Sequence, residues 1–312
     1  MLFVAGPTAS GKSAVALELA QRVGGEIISA DSMQVFRGLD IGTAKATGEE
    51  RSRVRHHLLD VAAPDEPFDA ARWLGLAKAA FDDIRGRGRA AIFCGGTGLY
   101  FSAWFKGLDA PAPADAALRA ELESRPLEEL LVELQARDPA RFASIDRCNP
   151  RRVVRAVEIA RFRATRPEPA ILPPAAGATQ STIVVLERPT AELRVRIDVR
   201  VDRMFREGLV EETRALLDAG LGRERTALQA IGYRQVVEHL RGDRDLAATV
   251  ALVKTKTWQF ARRQMTWFRH QLPVTWLTIE GGEAPSATAE RVFRAAMEGP
   301  MPAGCRRSGD PG

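Results

Sequence analysis

Cysteine, histidine and lysine are scarce in this chain of 312 residues, and each scarcity excludes something. The three cysteines, Cys94, Cys148 and Cys305, are odd in number and far apart, so neither a disulfide framework nor a CxxC metal pair is available. Only His56, His57, His239 and His270 accompany them, too few for a structural zinc site. No apolar run reaches the length of a bilayer span, and the opening MLFVAGPTASGKS has neither a basic n-region nor a small-residue cleavage site, so a cytoplasmic location is expected. Lysine is confined to Lys12, Lys45, Lys78, Lys106, Lys254 and Lys256, and every other cation is arginine. Acid is missing from one place: no carboxylate stands between Asp245 and Glu280.

What is present is the composition of an ordinary globular protein, 45% hydrophobic and 27% charged. The length suits one large domain or a core carrying a smaller one. The net charge of +5 decides little as a total. Biased composition alone would produce the arginine excess, and so would a need for phosphate or nucleic-acid contact, to which the planar guanidinium fork is suited. The positions of the charges must separate the two.

The first hundred residues alternate strand, turn and helix. Apolar runs at 2–5, 26–30 and 89–94 read as strands; 13–23 and 69–87 carry helical spacing, the second with Asp69 as N-cap. Strands alternating with helices predict a parallel sheet covered on both faces. A proline-punctuated break, DAPAPAD at 109–115, precedes a helical stretch over 114–166, an exposed loop at 166–180 and a resumed strand at 182–186. Two to four helices over 190–271, a last strand at 274–279 and a tail with disordered composition complete the chain. The expected fold is α/β: a P-loop NTPase-like parallel sheet core with helices on both faces over 1–110 and 182–298, a helical insertion over 111–181, and a disordered tail over 299–312.

Gly6, Pro7, Thr8, Ala9, Ser10, Gly11, Lys12 and Ser13 fit G-x-x-x-x-G-K-[ST] after a strand and at the opening of a helix, as that pattern requires. Glycines let backbone N–H groups converge on phosphate oxygens, the helix N-terminus adds a favourable dipole, Lys12 adds a charge, and Ser13 offers a hydroxyl to Mg²⁺. The motif does not say whose phosphates they are.

Strand 26–30 delivers Asp31, which in an open α/β sheet faces the same crevice as Lys12. A carboxylate there either caps a turn or acts as a general base. Strand 89–94 runs into Gly95-Gly96-Thr97-Gly98, which aims the Thr97 hydroxyl into the crevice or uses it as an N-cap. Lys45, in the constrained loop that follows Gly38, either reaches a phosphate or is solvated. Arg196, Arg200 and Arg203 share one helical face; with Asp198 and Asp202 interleaved, the choice is between a salt-bridged surface and a clamp on a departing pyrophosphate.

In the acid-free stretch, Lys254, Lys256, Arg262, Arg263 and Arg269 alternate with Trp258, Phe260, Trp267, Phe268 and Trp276. Cations among rings suit a nucleic-acid backbone with unstacked bases, unless the rings are core and only the cations face out. A second basic group, Arg147, Arg151, Arg152, Arg155, Arg161 and Arg163, ends the insertion. From residues alone two readings stay open: a P-loop kinase of a small metabolite and a non-catalytic RNA-binding module.

GPTASGKS, DSMQVFRGLDIGTAK, HHLLDV with PDEPFDAARW, FCGGTGLY, NPRRVVRAVEI, RIDVRVDRMFREGLVEE and QAIGYRQ, in this order over roughly residues 3–280, resemble the bacterial tRNA dimethylallyltransferase family. The resemblance implies transfer of a dimethylallyl group from dimethylallyl diphosphate to N6 of the adenine just 3′ of the anticodon, with Mg²⁺; a prenyltransferase that modifies free AMP or ADP is the chemically close alternative. It implies that residues 6–13 bind the donor diphosphate, that Asp31 takes the amine proton, that Thr97 contacts the reacting centre, and that Arg196 or Arg200 clamps the diphosphate. Implied tRNA contacts are Asp31, Ser32, Met33 and Gln34; Thr97; Arg119; Arg151, Arg152, Val153, Val154 and Arg155; and Gln229, Ala230, Ile231, Gly232, Tyr233 and Arg234. Phe36 stands where the family commonly has tyrosine. A monomer is expected.

Overall fold

The computed structural model describes residues 1–108, 115–165, 173–175, 181–221 and 226–298. The tail expected at 299–312 lies outside them, as do most of the break at 109–115 and of the loop expected at 166–180. The first elements are β1 (Leu2–Ala5), α1 (Lys12–Val23), β2 (Glu26–Ala30), α2 (Gly48–Arg53), β3 (His56–His57), α3 (Ala70–Gly86), β4 (Ala91–Gly95) and α4 (Gly98–Lys106). Four helices follow, α5 (Ala116–Glu123), α6 (Leu127–Arg137), α7 (Pro139–Ser144) and α8 (Pro150–Thr165). The chain continues with β5 (Ile183–Glu187), α9 (Thr190–Arg206), α10 (Leu209–Asp218), α11 (Tyr233–Leu240), α12 (Leu246–Gln271), β6 (Thr275–Thr278) and α13 (Pro285–Met297).

All six strands are parallel, in the order β3-β2-β4-β1-β5-β6. β1 is central and buried throughout, as are β2 and β4, because a parallel sheet covered on both faces hides every side chain. One face buries Leu2, Val4, Val15, Leu19, Ile27, Ile92, Val184 and Val292. The other buries rings: Phe3 stacks on Phe93 at 4.7 Å, and Phe93 meets Trp104 at 4.3 Å. Each fully buried Leu or Phe contributes about 1.5–3 kcal/mol, so these two layers carry the fold. From β1 the chain crosses to β2 on one side, and from β5 to β6 on the other. The loops therefore diverge at the carboxyl ends, where open α/β sheets bind ligands.

The Asp69 carboxylate accepts Arg72 N–H at 2.8 Å and caps α3, as its position predicts. α3 then places Trp73 against β2: its Nε1 donates to Ser29 O at 2.9 Å while its ring stacks on Tyr100 at 4.4 Å. Both contacts brace the end of β2 that leads to Asp31.

The described residues form two compact units, Met1–Phe105 with Ala175–Gly312, and Lys106–Pro174. The second is helical, with Leu122, Leu130, Leu134, Val153, Val154, Val157 and Ala160 in its core. The structure thus divides at 106 and 174, where the sequence suggests 111 and 181. Three elements have no sequence expectation: α2, β3 and α13.

At the amino end of β2, away from the crevice, the buried Glu26 carboxylate takes both ends of the Arg87 guanidinium and His57 Nε2. The Arg87 bonds hold its pKa down to about 2, against an ordinary 4.5. A lowered folded pKa contributes stability that is complete above the unfolded carboxylate's range and is lost as pH falls from about 4.5 toward 2. Glu26→Gln is therefore expected to lower the urea midpoint at pH 7, with the gap to the parent protein narrowing by pH 3. A gap independent of pH would contradict this.

Candidate active site

The phosphate loop is shaped by its glycines and held from behind. Gly6 leaves β1 so tightly that a Cβ there would lie 2.7 Å from Leu186 O, and Gly11 opens α1 at φ +101°, a conformation that glycine alone adopts freely. Arg188 Nε donates to Ser10 O at 2.8 Å and Arg196 Nε to Ala9 O at 2.9 Å, so two guanidinium groups pin the loop's carbonyls outward. Lys12 Nζ donates to Pro7 O at 3.3 Å. Burial lowers its pKa, opposed by attraction to Asp31; the charge is held where an anion would be welcome.

Asp31, Ser32 and Thr97 meet across the ends of β2 and β4. Ser32 N–H donates to Thr97 Oγ1 at 3.0 Å, and Thr97 N–H donates to Ala30 O at 3.1 Å. A Cβ at Gly95 would fall 2.1 Å from Ala30 O, so glycine is what lets these ends approach. Asp31 Oδ1 accepts Met33 N–H at 2.9 Å, so the turn-capping role is present, and the same carboxylate also lines the cavity. Burial raises the nearby Cys94 thiol to about 11, which keeps it protonated and unreactive.

A cavity of about 370 Å³ holds this chemistry: Thr8, Lys12, Ser13, Asp31, Arg200 and Gln264 are in its wall, with Leu17, Ile27, Val253 and Phe260 supplying apolar surface. A wider cleft, lined by Gly11, Arg196 and Arg203, opens on the other side of the phosphate loop. Lys12, Ser13 and Arg200 belong to both, so one set of cations separates two approaches.

The two candidate clamps differ. Arg200 is in both walls, donates from Nη2 to Thr43 O at 3.2 Å, and has its pKa lowered by burial against an attraction to Asp31. Arg196 lines only the outer cleft. The interleaved acids do not neutralise either: Asp198 is 3.7 Å from Arg194, and Asp202 takes Lys254 at 2.7 Å.

Several expected contacts are turned inward. Lys45 neither reaches a phosphate nor is solvated: its buried Nζ donates to Asp40 Oδ1 and Asp60 Oδ1, both at 2.6 Å, and to Phe36 O at 2.7 Å. Tyr233 is buried with its hydroxyl donating to Glu212 and accepting Gly42 N–H, so it supports the 38–45 loop from inside. Gln34 accepts Ser29 Oγ–H and donates to Thr43 O. Val153 and Val154 are core of the helical unit, and Gly232 is the φ +103° turn before α11; Gln229, Ala230 and Ile231 line the cavity. Of the second basic group, Arg155 pairs with Glu158, Arg161 with Glu133 and Glu121, and Arg163 with Asp138; Arg119, on α5, shares Glu158. Arg151 is exposed and Arg152 only 4.0 Å from Asp146; Arg234 pairs with Glu238.

The structure resolves the choice over the rings by dividing them. On α12 Phe268 is core, while Trp258, Phe260 and Trp267 are half-buried, as is Trp276 on β6. Lys256, Arg262 and Arg263 are exposed and have no carboxylate partner among the described residues.

Sequence reasoning missed Arg188 and Gln264. Arg188 sits just past β5 at the carboxyl edge of the sheet, which is the signal that would have found it. Gln264 carried none, being a polar residue inside a run read for its cations and rings.

No group of three or more His, Cys, Asp or Glu able to hold a metal exists among the described residues. An exposed Ser13 hydroxyl at the first turn of α1 fits a Mg²⁺ that arrives on phosphate oxygens and keeps its waters, which needs one or two protein ligands at most.

Residues 34–271 match the family model described as IPP transferase. A tRNA dimethylallyltransferase of Anaeromyxobacter dehalogenans (strain 2CP-C) is 45% identical over 300 residues, covering 94% of this chain and 98% of that protein. The full-length tRNA isopentenylpyrophosphate transferase of Bacillus halodurans superposes with a TM-score of 0.69 at 35% identity, over 95% of this chain and 96% of that one. A eukaryotic dimethylallyltransferase acting on tRNA gives 0.78 at 26% identity, over 94% of this chain and 77% of its own. With a sheet, a phosphate loop and a carboxylate–threonine pair arranged as described, and with similarity running the length of the chain, this protein belongs to the IPP transferase family.

Proposed function

We propose that the chain transfers the dimethylallyl group of dimethylallyl diphosphate to N6 of the adenosine adjoining the anticodon on its 3′ side, position 37, in tRNA. The observation that carries the reading is the convergence of Lys12, Arg200 and Asp31 on one cavity, where Ser32 of the wall is bonded to Thr97 Oγ1 and Leu17, Ile27, Val253 and Phe260 supply an apolar side. The names borne by its relatives point the same way. A kinase would use Lys12 but has no evident need of an apolar chamber beside its nucleophile.

The reaction is an in-line displacement. The adenine, extruded from its loop, places N6 against the allylic carbon; the N–C bond forms as the C–O bond to diphosphate breaks, and the N6 proton passes to Asp31. Thr97 and Ser32, bonded to each other, keep Asp31 and the base in register. Lys12 and Arg200 balance the charge that builds on the leaving diphosphate, and the phosphate loop's N–H groups hold it. Ser13 would hold a Mg²⁺ arriving with the diphosphate, and that ion would supply further neutralisation of its charge. Apolar walls exclude water from an allylic carbon that gathers positive charge. The acid-free face of α12, with Lys256, Arg262 and Arg263 beside Phe260 and Trp267, suits the tRNA backbone and splayed bases. One chain supplies every group named, which supports action as a monomer. No helix among the described residues is long and apolar enough to cross a membrane.

The test is release of inorganic pyrophosphate from dimethylallyl diphosphate. Release is expected only when tRNA lacking the modification is present, one per tRNA. Transfer of the terminal phosphate of ATP to a small acceptor, with no tRNA-dependent release, would overturn the reading.

A further inference from the structure

Gln264 lies on α12, far in sequence from either substrate loop, yet its buried amide touches both. Its Oε1 accepts Thr8 N–H of the phosphate loop at 2.9 Å, and its Nε2 donates to Gly96 O of the Gly95–Gly98 segment at 2.9 Å. The two bonds fix the amide's orientation, since a backbone N–H needs an acceptor and a carbonyl needs a donor. α12 approaches this segment closely enough to require its glycines: a Cβ on Gly96 would sit 2.2 Å from Gln264 Nε2, and one on Gly98 2.2 Å from the Trp267 ring. Thr97 is held between those two glycines, and it is Thr97 that receives Ser32 N–H beside Asp31. A continuous path therefore runs from Thr8 through one side-chain amide to Gly96, Thr97 and Ser32.

We propose that Gln264 is a positioning residue that ties the diphosphate loop to the loop carrying Thr97, so that occupation of the first sets the placement of the second. The inference rests on the function proposed above for the substrates it names, but its physical content is a coupling between an anion site and an RNA site. The phosphate loop must adjust when its N–H groups turn to a diphosphate, and Thr8 cannot move without moving the amide that holds Gly96. Gln264 also lines the cavity, so neither link is shielded from the ligands.

The experiment measures the affinity of tRNA lacking the modification for the protein with and without saturating inorganic pyrophosphate and Mg²⁺, and separately the affinity for pyrophosphate alone. In the parent protein, pyrophosphate is expected to tighten tRNA binding about 5-fold or more, the lower range of measured couplings between sites. Gln264→Met, which keeps length and loses both bonds, is expected to bring that factor close to one while each ligand alone binds within about 3-fold of normal. Gln264→Glu keeps the acceptor for Thr8 and loses the donor for Gly96, so it tests the Gly96 arm alone and covers the case in which the Met variant does not fold. In both variants kcat falls about 10²-fold, with KM for dimethylallyl diphosphate little changed, as expected for a displaced reacting group. A parent protein without coupling, or variants that retain it with normal kcat, would overturn the proposal. Coupling without any prenyl transfer would instead leave this inference standing and remove the assigned reaction.

Discussion

Asp31→Asn is expected to bind pyrophosphate and tRNA within about 3-fold of the parent protein and to lose about 10²–10⁴ in single-turnover rate, the span of a general base. The asymmetry follows from the carboxylate's two tasks. Asn keeps an oxygen for Met33 N–H, so the turn at 31–33 and the Ser32–Thr97 bond survive. It cannot take a proton, so the N6 amine attacks without relief of the charge it acquires. Asp31→Ala loses both functions; any further fall beyond Asn measures the turn's share. A rate for Asn near that of the parent would remove Asp31 from proton transfer and leave it the capping role alone.

Arg200→Met is expected to cost about 10²–10³ in the same rate, comparable to removing one preorganised donor from a site of developing negative charge. Arg200 stands in the wall shared by both openings, near Asp31, whereas Arg196 is committed to Ala9 O on the outer side. Arg196→Met is therefore expected to weaken pyrophosphate binding by loosening the loop while leaving the rate at saturation within about 10-fold, half or less of the logarithmic loss at Arg200. Arg200→Lys should recover little, since an ammonium cannot both serve Thr43 O and present a planar fork to diphosphate. Equal losses at the two positions, measured with saturating donor, would contradict the assignment of the clamp to Arg200.

What the sequence made legible and what it hid have physical causes. The strands β1, β2, β4 and β5 announce themselves because a sheet covered on both faces demands continuous apolar runs. The phosphate loop is legible because glycine spacing and the Lys-Ser pair are local. β3 is two half-buried histidines at the sheet's edge, with no period to detect. α2 buries no residue at all; its capping box of Thr47 and Glu50 was the one available signal. Long-range pairing hides the rest. Lys45 looks solvated until the strand order brings Asp60 beside Asp40. The arginines ending α8 look like an RNA surface until the acids of α5 and α6 fold against them. Gln264 meets Thr8 across 256 positions, a relation no window along the chain contains. Local chemistry thus marked the candidate groups, and only the fold showed which cations are left without a carboxylate partner.

The most direct measurement follows the prenyl group itself. Dimethylallyl diphosphate labelled in its alkyl chain is incubated with the protein, Mg²⁺ and an equimolar mixture of AMP and tRNA lacking the modification, and the products are separated by size and digested to nucleosides. Label is expected in the tRNA, on the adenosine immediately 3′ of the anticodon, and absent from AMP. Label in AMP with none in tRNA, or label in neither, would contradict the account.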